Sequence, residues 1–113
     1  MRLKTITLSL MGLIASGAAD DVTILTYCGG AVFCDSANSM WHTSFGQFPI
    51  DANEGCRDPP WVPYLNSICF DWGNQRGHFY YDNHPKRCLQ QWTSNALTSQ
   101  LSMQRWKEVS CTW

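Results

Sequence analysis

Two aromatic runs on either side of a short loop decide the expected fold: residues 67–72 (SICFDW) and residues 78–82 (HFYYD), separated by residues 73–77 (GNQRG). Both runs are rich in the β-branched and aromatic residues that favour strands. The five-residue loop begins and ends with glycine, a composition typical of hairpin loops. The sequence therefore predicts a β-hairpin over residues 67–82.

The aromatic side chains of this hairpin cannot all be buried together, because successive strand residues point to opposite faces of a sheet. In one register, the first face carries Phe70, Trp72, Phe79 and Tyr81. The opposite face then carries Asp71, His78, Tyr80 and Asp82. An antiparallel sheet is commonly covered on only one side, so we expect one of these two sets to meet solvent.

On the N-terminal side, the sequence predicts a strand, a short helix and an extended loop. Residues 22–28 are mostly β-branched and end at two glycines, which indicates a strand. Asp35 or Ser36 is a suitable N-cap for a helix. Such a helix would bury one face made of Ala37, Met40, Trp41 and Phe45. Residues 51–63 contain adjacent prolines and are expected to form an extended loop.

On the C-terminal side, the sequence predicts a longer helix and a last strand. Within residues 91–105, one helical stripe would carry Trp92, Ala96, Ser99 and Met103. Residues 107–113 alternate, with Val109, Cys111 and Trp113 on one face, which indicates a half-buried strand.

The resulting order β-α-β-β-α-β predicts an α+β fold of the split βαβ, ferredoxin-like type. In this fold one antiparallel sheet has two helices on one face, and disulfides would stabilise the small sandwich. The alternative is an all-β, disulfide-rich sandwich.

The N-terminus has the order of a secretory signal peptide. Arg2 and Lys4 precede an apolar stretch that is too short to span a bilayer, and small residues follow it up to Ala19. We therefore expect residues 1–19 to be a signal peptide. Residues 20–113 would then be a single secreted, extracellular cysteine-rich domain without a membrane anchor.

The expected secreted domain is small and weakly acidic. It leaves no room for a nucleotide-binding domain beside a substrate domain. Six basic residues remain after Arg2 and Lys4 are removed, against nine acidic ones, so the formal charge is −3. This charge argues against binding to nucleic acid, which requires excess positive charge.

An even number of cysteines in a small exported chain indicates three disulfide bonds. The residues are Cys28, Cys34, Cys56, Cys69, Cys88 and Cys111. Six cysteines allow about 15 pairings, among which the sequence does not select. Structural zinc sites usually contain closely spaced cysteine pairs, and the shortest gap here is C-x5-C. We expect neither a metal nor another cofactor.

Candidates for catalysis are few. The chain has no G-x-S-x-G motif, and catalysis by a thiolate requires a cysteine outside a disulfide. A small ribonuclease would need a general base, a general acid and a cation for the phosphate, and the candidates are Glu54, His78 and Arg76. Nothing in the sequence brings these three together. A protein without catalytic activity is therefore the main expectation.

Aromatic residues are the most unusual feature of the chain, and all of them follow the predicted signal peptide. Most must form the core of so small a domain. Exposed Trp and Tyr beside Arg are nevertheless typical of binding sites. We expect the hairpin tip and the proline-rich loop to contact a partner through Trp72, Arg76, His78, Tyr80, Trp61 and Tyr64.

A stretch near the C-terminus contains Tyr80-Tyr81-Asp82, then Cys88-Leu89, a helix-like segment and the last cysteine, Cys111. This arrangement resembles the killer protein six type of small secreted fungal toxins and effectors, over about the last third of the chain. The resemblance implies a cysteine-tied α/β sandwich and a role in toxicity or virulence. The whole chain also looks like a fungal secreted cysteine-rich protein.

These observations predict a secreted, non-catalytic effector or killer-toxin-like protein. It would bind an unknown protein or cell-surface target of a host or a competitor. The alternatives are a small secreted ribonuclease-like hydrolase and a carbohydrate-binding module. We expect a monomer that does not bind nucleic acid.

Overall fold

The computed structural model describes residues 19–29 and 33–113. These residues are almost entirely β-structure, and their 3% helical content is one 3-10 turn, Trp72–Asn74. The strands of the described chain are β1 (Asp21–Cys28), β2 (Cys34–Asp35), β3 (Ser39–Thr43), β4 (Gly46–Ile50), β5 (Gly55–Arg57), β6 (Leu65–Asp71), β7 (Arg76–Tyr81), β8 (Arg87–Ala96) and β9 (Leu101–Val109). The predicted signal peptide falls almost wholly on residues 1–18, which lie outside the described residues.

The strands form one curled antiparallel sheet in the order β4-β3-β1-β9-β8-β7-β6-β5, with β2 paired to β1 off this path. This topology overturns the predicted split βαβ, ferredoxin-like α+β fold, because the described residues contain no α-helix. The all-β alternative fits them. The curl allows a single sheet to enclose a core that a flat sheet would leave open on one side.

The central hairpin was predicted correctly. Strands β6 and β7 pair antiparallel, with Ile68 opposite Phe79, and the Trp72–Asn74 turn lies between them. Gly77 at the start of β7 is required by close packing. A Cβ at this position would lie 2.5 Å from the Cys69 carbonyl oxygen on the neighbouring strand.

The hairpin separates its side chains into two sets. Phe70, Phe79 and Tyr81 are buried on what we call the core face of the sheet. His78 and Tyr80 alternate with them and lie half-buried on the opposite side, which we call the outer face. Of the two sets expected from the sequence, the one that contains Phe70 is therefore the buried one.

The helix predicted after Asp35 or Ser36 is wrong, since this region forms β2, β3 and β4. Ser39 and Trp41 of β3 are buried and alternate with less buried neighbours, which is the period of a strand. The Ser39 hydroxyl donates a hydrogen bond to the Ser36 carbonyl oxygen at 2.8 Å. Such side-chain bonds compete for the backbone groups that a helix needs. Phe45, assigned to the buried helix face, lies exposed between β3 and β4.

The helix predicted over residues 91–105 is also wrong, because this region forms the hairpin of β8 and β9. The Thr98 hydroxyl accepts hydrogen bonds from the backbone N–H groups of Gln100 and Leu101, at 3.1 and 2.9 Å, and so holds the turn. The stretch is rich in Ser, Thr and Asn, which are poor helix formers. Pairing with β1 then gives β9 strand neighbours on both sides.

Two further predictions hold in part. The last strand, expected over residues 107–113, corresponds to the end of β9 and stops at Val109. The proline-rich loop, expected over residues 51–63, contains the short strand β5.

The core consists of aromatic and aliphatic side chains from strands far apart in the sequence. Trp41 contacts Phe79 edge-to-face, with ring centroids 4.8 Å apart, and Phe70 lies 6.0 Å from Trp106. All four side chains are fully buried. Burial of each such side chain stabilises the fold by roughly 2–3 kcal/mol.

The predicted participation of all six cysteines in disulfides is confirmed. The pairs are Cys28–Cys34, Cys56–Cys69 and Cys88–Cys111. The first joins β1 to β2, the second joins β5 to β6, and the third ties the C-terminal segment to β8. Within residues 19–29 and 33–113, there is no helix of sufficient length and hydrophobicity to cross a membrane.

Candidate functional site

A recess of about 280 Å³ opens beside the turn between β3 and β4. It combines aromatic side chains with several ionisable ones. The lining residues are Asp20, Ser44, Phe45, Tyr64, Tyr81, Asp82, His84 and Arg87. We refer to this feature as the recess.

Aromatic rings form one side of the recess. The Phe45 ring lies nearly perpendicular to that of Tyr64, at 5.3 Å between centroids, and 5.8 Å from that of Tyr81. Phe45 and Tyr64 are 40% and 65% exposed, whereas Tyr81 is buried. The recess therefore presents two accessible rings beside a buried one.

Hydrogen bonds fix the backbone that carries both exposed rings. The Thr43 hydroxyl donates to the Gly46 carbonyl oxygen at 2.8 Å and accepts from the Phe45 backbone N–H at 3.1 Å. Tyr64 has a φ of 68°, and its carbonyl oxygen accepts from the Asp82 backbone N–H at 2.8 Å. The backbone at both residues is thus ordered, which reduces the backbone entropy lost when a ligand packs on the rings.

A charged network behind these rings joins the ends of β7, β8 and β9 to the residue that precedes β1. The Tyr81 hydroxyl donates to the buried Asp20 carboxylate at 2.5 Å. Arg87 donates through Nε and Nη2 to the two oxygens of Glu108, each at 2.6 Å, and its Nη2 also lies 3.4 Å from Asp20. The Asp20 backbone N–H donates to Glu108 at 3.0 Å. Such a two-point arginine–carboxylate contact fixes the orientation of both groups.

The environment shifts the ionisation of these groups. Burial raises the pKa of Asp20, which the hydrogen bond from Tyr81 and the charge of Arg87 partly offset. Burial also raises the pKa of Tyr81, and the bond to Asp20 adds to this effect. The hydrogen bond to Glu108 is the main cause of a raised pKa at Arg87. Tyr81 therefore remains a protonated donor and Arg87 a fixed cation.

The structure places the six predicted partner-binding residues in separate regions. Tyr64 lines the recess. Trp61 is 56% exposed and donates from its indole N–H to the Pro49 carbonyl oxygen at 2.7 Å. Trp72 is half-buried against Trp106, at 5.1 Å between rings, so it belongs largely to the core.

The other three predicted residues lie on β7, and none of them lines the recess. Arg76 lies 4.7 Å from the Trp113 ring and 3.8 Å from Asp71. His78 and Tyr80 follow it on the outer face, with rings 5.9 Å apart. The six residues predicted to bind a partner therefore do not form one continuous surface.

The residues considered for ribonuclease activity are likewise not grouped in one recess. The Glu54 carboxylate accepts from the Trp72 backbone N–H at 2.9 Å and lines a second recess, which neither His78 nor Arg76 lines. Burial is the main cause of a lowered pKa at His78. Among the described residues, no group of three or more His, Cys, Asp or Glu is arranged to hold a metal ion.

The sequence did not identify most of the residues that line the recess, although the alternation of buried residues near β1 gave a usable signal. Asp20, Val22 and Ile24 are buried in turn along the start of β1. A carboxylate in such a row requires a buried partner. The carboxylate of Asp20 finds its partner in the Tyr81 hydroxyl, 61 positions away, so only the sheet topology shows which residues meet.

Comparison of the chain with models of protein families, with curated protein sequences and with solved structures gave no match.

Proposed function

We propose that this protein is a secreted carbohydrate-binding protein without catalytic activity, and that the recess binds one or two sugar units of a surface glycan. The accessible ring pair of Phe45 and Tyr64 beside the charged network carries the proposal. In this role the protein acts as an effector or toxin by attaching to the surface of a host or competitor.

The aromatic side of the recess matches the shape of a sugar ring. A pyranose presents apolar C–H groups on its faces, and these groups pack favourably on aromatic rings. Tyr64 and Phe45 supply two such rings at nearly a right angle. The volume of about 280 Å³ lies just below the roughly 300–1,000 Å³ that small-molecule sites occupy, which suits a short ligand.

The polar side of the recess matches the hydroxyl groups of a sugar. Asp82, His84 and Ser44 are exposed lining residues with donor or acceptor groups. Behind them, the buried Asp20 carboxylate holds Tyr81, and the partly buried Glu108 carboxylate holds Arg87. A few well-positioned polar groups beside an apolar wall are typical of small-molecule sites.

The charge of the recess disfavours a phosphate-bearing ligand such as RNA. Two carboxylates, those of Asp20 and Asp82, line the recess with one arginine, and Arg87 already donates to Glu108 and lies close to Asp20. A phosphate would meet net negative charge and would compete for donors in use. A neutral sugar or an amino sugar meets neither obstacle, and for this reason we favour a glycan over RNA.

The disulfides support an extracellular location. Three bonds among six cysteines are expected of a small domain in an oxidising compartment and are rare in the cytosol. The N-terminal sequence that resembles a signal peptide agrees with this proposal.

Retention of the oxidised protein on insoluble chitin, β-glucan and cellulose tests the proposal. We expect retention on at least one polymer, reduced about tenfold or more by Tyr64→Ala or Phe45→Ala, since one well-packed aromatic contact contributes over 1 kcal/mol. Phe33→Ala removes an exposed aromatic residue that lies outside both the recess lining and the open edge of β8, and it serves as the matched control. Lack of retention on all three polymers overturns the proposal, and RNA cleavage would favour the hydrolase instead.

A further inference from the structure

A second group of exposed apolar side chains lies at the end of the sheet formed by β1, β8 and β9. Tyr27, Trp92 and Leu97 are each about half exposed, at 52%, 54% and 50%. The strands remain paired here, with Tyr27 opposite Leu101 and Asn95 opposite Met103. We call this region the arm and define it as residues 24–28, 92–97 and 101–104.

One edge of the arm has no strand partner among the described residues. Pairing between β7 and β8 ends where Arg76 lies opposite Gln90. The next backbone bond across this edge runs from the Gln91 N–H to the Gln75 carbonyl oxygen, at 3.1 Å. From Thr93 to Ala96, β8 pairs only with β9. Its other edge therefore presents backbone donors and acceptors to solvent.

The arm lacks the usual protection of an open edge. Residues 88–104 contain no Asp, Glu, Lys, Arg, Pro or Gly, and residues 22–34 contain no charged residue. Natural sheets commonly block association at open edges with lysine, proline or inward-pointing charges. The shift in register between Gln91 and Thr93 lies at the start of the open edge and leaves Thr93–Ala96 in regular pairing.

We infer that two copies of this protein pair through this edge, with β8 of one copy antiparallel to β8 of the other. The contact is isologous, so the same short edge serves both copies and the assembly closes as a dimer. The backbone bonds would extend the sheet across both molecules, and Trp92 and Leu97 would flank the new pair.

The charge pattern favours a second copy over a different protein. A partner selected by charge needs a complementary charged group, and the arm itself contains none. Two neighbouring cations, Arg105 and Lys107, lie over the Trp92 ring at 5.5 and 4.9 Å from its centroid. The neutrality of the arm itself removes the like-charge repulsion that would oppose self-pairing. This inference replaces the monomer expected from the sequence and does not depend on the proposed sugar site.

Sedimentation velocity of the oxidised protein over a wide concentration range tests the inference. We expect a monomer–dimer equilibrium whose dissociation constant rises about tenfold or more for Asn95→Lys and for Asn95→Asp, because two like charges meet near the twofold axis. An equimolar mixture of the two variants should recover a heterodimer. Gln47→Lys, on the edge strand β4, provides the control and should leave dimerisation unchanged.

Three results would overturn the inference. One is a monomer at all concentrations. Another is a dimer that both Asn95 variants leave intact, and the third is a dimer that Gln47→Lys weakens equally. Ser94→Lys, also at an exposed position of the open edge, repeats the test if an Asn95 variant fails to fold, as judged by its thermal transition.

Discussion

The recess and the arm both expose aromatic side chains, but their surroundings differ. At the recess, Asp20, Arg87 and Glu108 lie behind the rings and are bonded to one another. Along the arm, seventeen consecutive residues, 88–104, carry no charge. A ligand at the recess therefore meets directional, charged groups, whereas a partner at the arm meets backbone groups and apolar side chains.

The contrast shows how exposed aromatics acquire different roles in one small sheet. Directional polar groups select a ligand by its hydrogen bonds. A neutral open edge selects only for an extended chain that can continue the sheet. The same residue type, Trp or Tyr, thus serves small-ligand recognition at one end and association at the other.

The largest expected effect is a loss of stability when the Glu108 carboxylate, which binds Arg87, is removed. Glu108→Ala removes the two oxygens to which Arg87 donates through Nε and Nη2 and the acceptor of the Asp20 backbone N–H, while Asp20 remains 3.4 Å from Arg87. Since the Arg87 side chain is only 25% exposed, we expect the loss of these charged hydrogen bonds to lower the free energy of unfolding by about 2 kcal/mol. Chemical denaturation of the oxidised protein measures this change.

The matched control for that loss is Asp71→Ala, which removes a more exposed partner of Arg76 at 3.8 Å. We expect it to lower the free energy of unfolding far less than Glu108→Ala does, as is usual for exposed surface pairs. Similar losses for the two variants would contradict the structural role given to the recess network.

The next largest effect is on sugar affinity. It separates the contribution of Tyr64 to ligand binding from its contribution to folding. Tyr64→Phe keeps the ring and removes the hydroxyl, whereas Tyr64→Ala removes the ring, which is 65% exposed. We expect the alanine variant to lose about tenfold or more in sugar affinity and the phenylalanine variant to lose less. Both should unfold within about 0.5 kcal/mol of the parent, because the side chain is mostly solvent-exposed. Calorimetric titration with the soluble oligosaccharide of the retained polymer measures the affinities.

The part of the fold predicted from the sequence is local. The hairpin of β6 and β7 was correct because its strands are adjacent and glycines bound the loop. Strand β1 was also recognised from its β-branched residues. The two helices were wrong because a few apolar residues spaced three or four apart also fit paired strands. Choosing strands required knowledge of the partners, and β1 pairs with β9, some eighty positions away.

The candidate site was less predictable than the fold for the same reason. Tyr64 was identified as an exposed aromatic residue in a proline-rich loop, which is a local property. Phe45 was assigned to a buried helix face, and Arg87 and Asp20 were not selected at all. Their importance arises from contacts with Tyr81 and Glu108, which only the complete sheet brings together.

A smaller effect, measured by backbone hydrogen exchange, tests whether the open edge of the arm pairs with a second copy. At low concentration, the amides of Thr93–Ala96 that point to the open edge should exchange rapidly, because no strand covers them. At high concentration, dimerisation should protect these amides, while those in the β6–β7 hairpin should not change. Exchange measured by mass spectrometry at two concentrations distinguishes the cases. Equal protection at both would contradict pairing through β8.

The smallest expected effect is the pH dependence of folding stability that arises from Asp20. Burial raises its pKa above the ordinary value of 3.8, so the folded protein holds this proton more tightly than the unfolded chain does. The contribution of Asp20 to stability is therefore greatest below that value and declines as pH rises through the folded-state pKa. Tyr81 and Arg87 offset part of the shift, which makes the decline small.

In Asp20→Asn, which retains an acceptor for Tyr81, this decline in stability with rising pH should be absent. The stability difference between parent and variant should thus move against the parent as pH rises, since other carboxylates such as Asp35 and Asp71 affect both proteins equally. Thermal unfolding across the acidic range measures this difference, and the opposite slope would show that the recess network stabilises the charged form of Asp20.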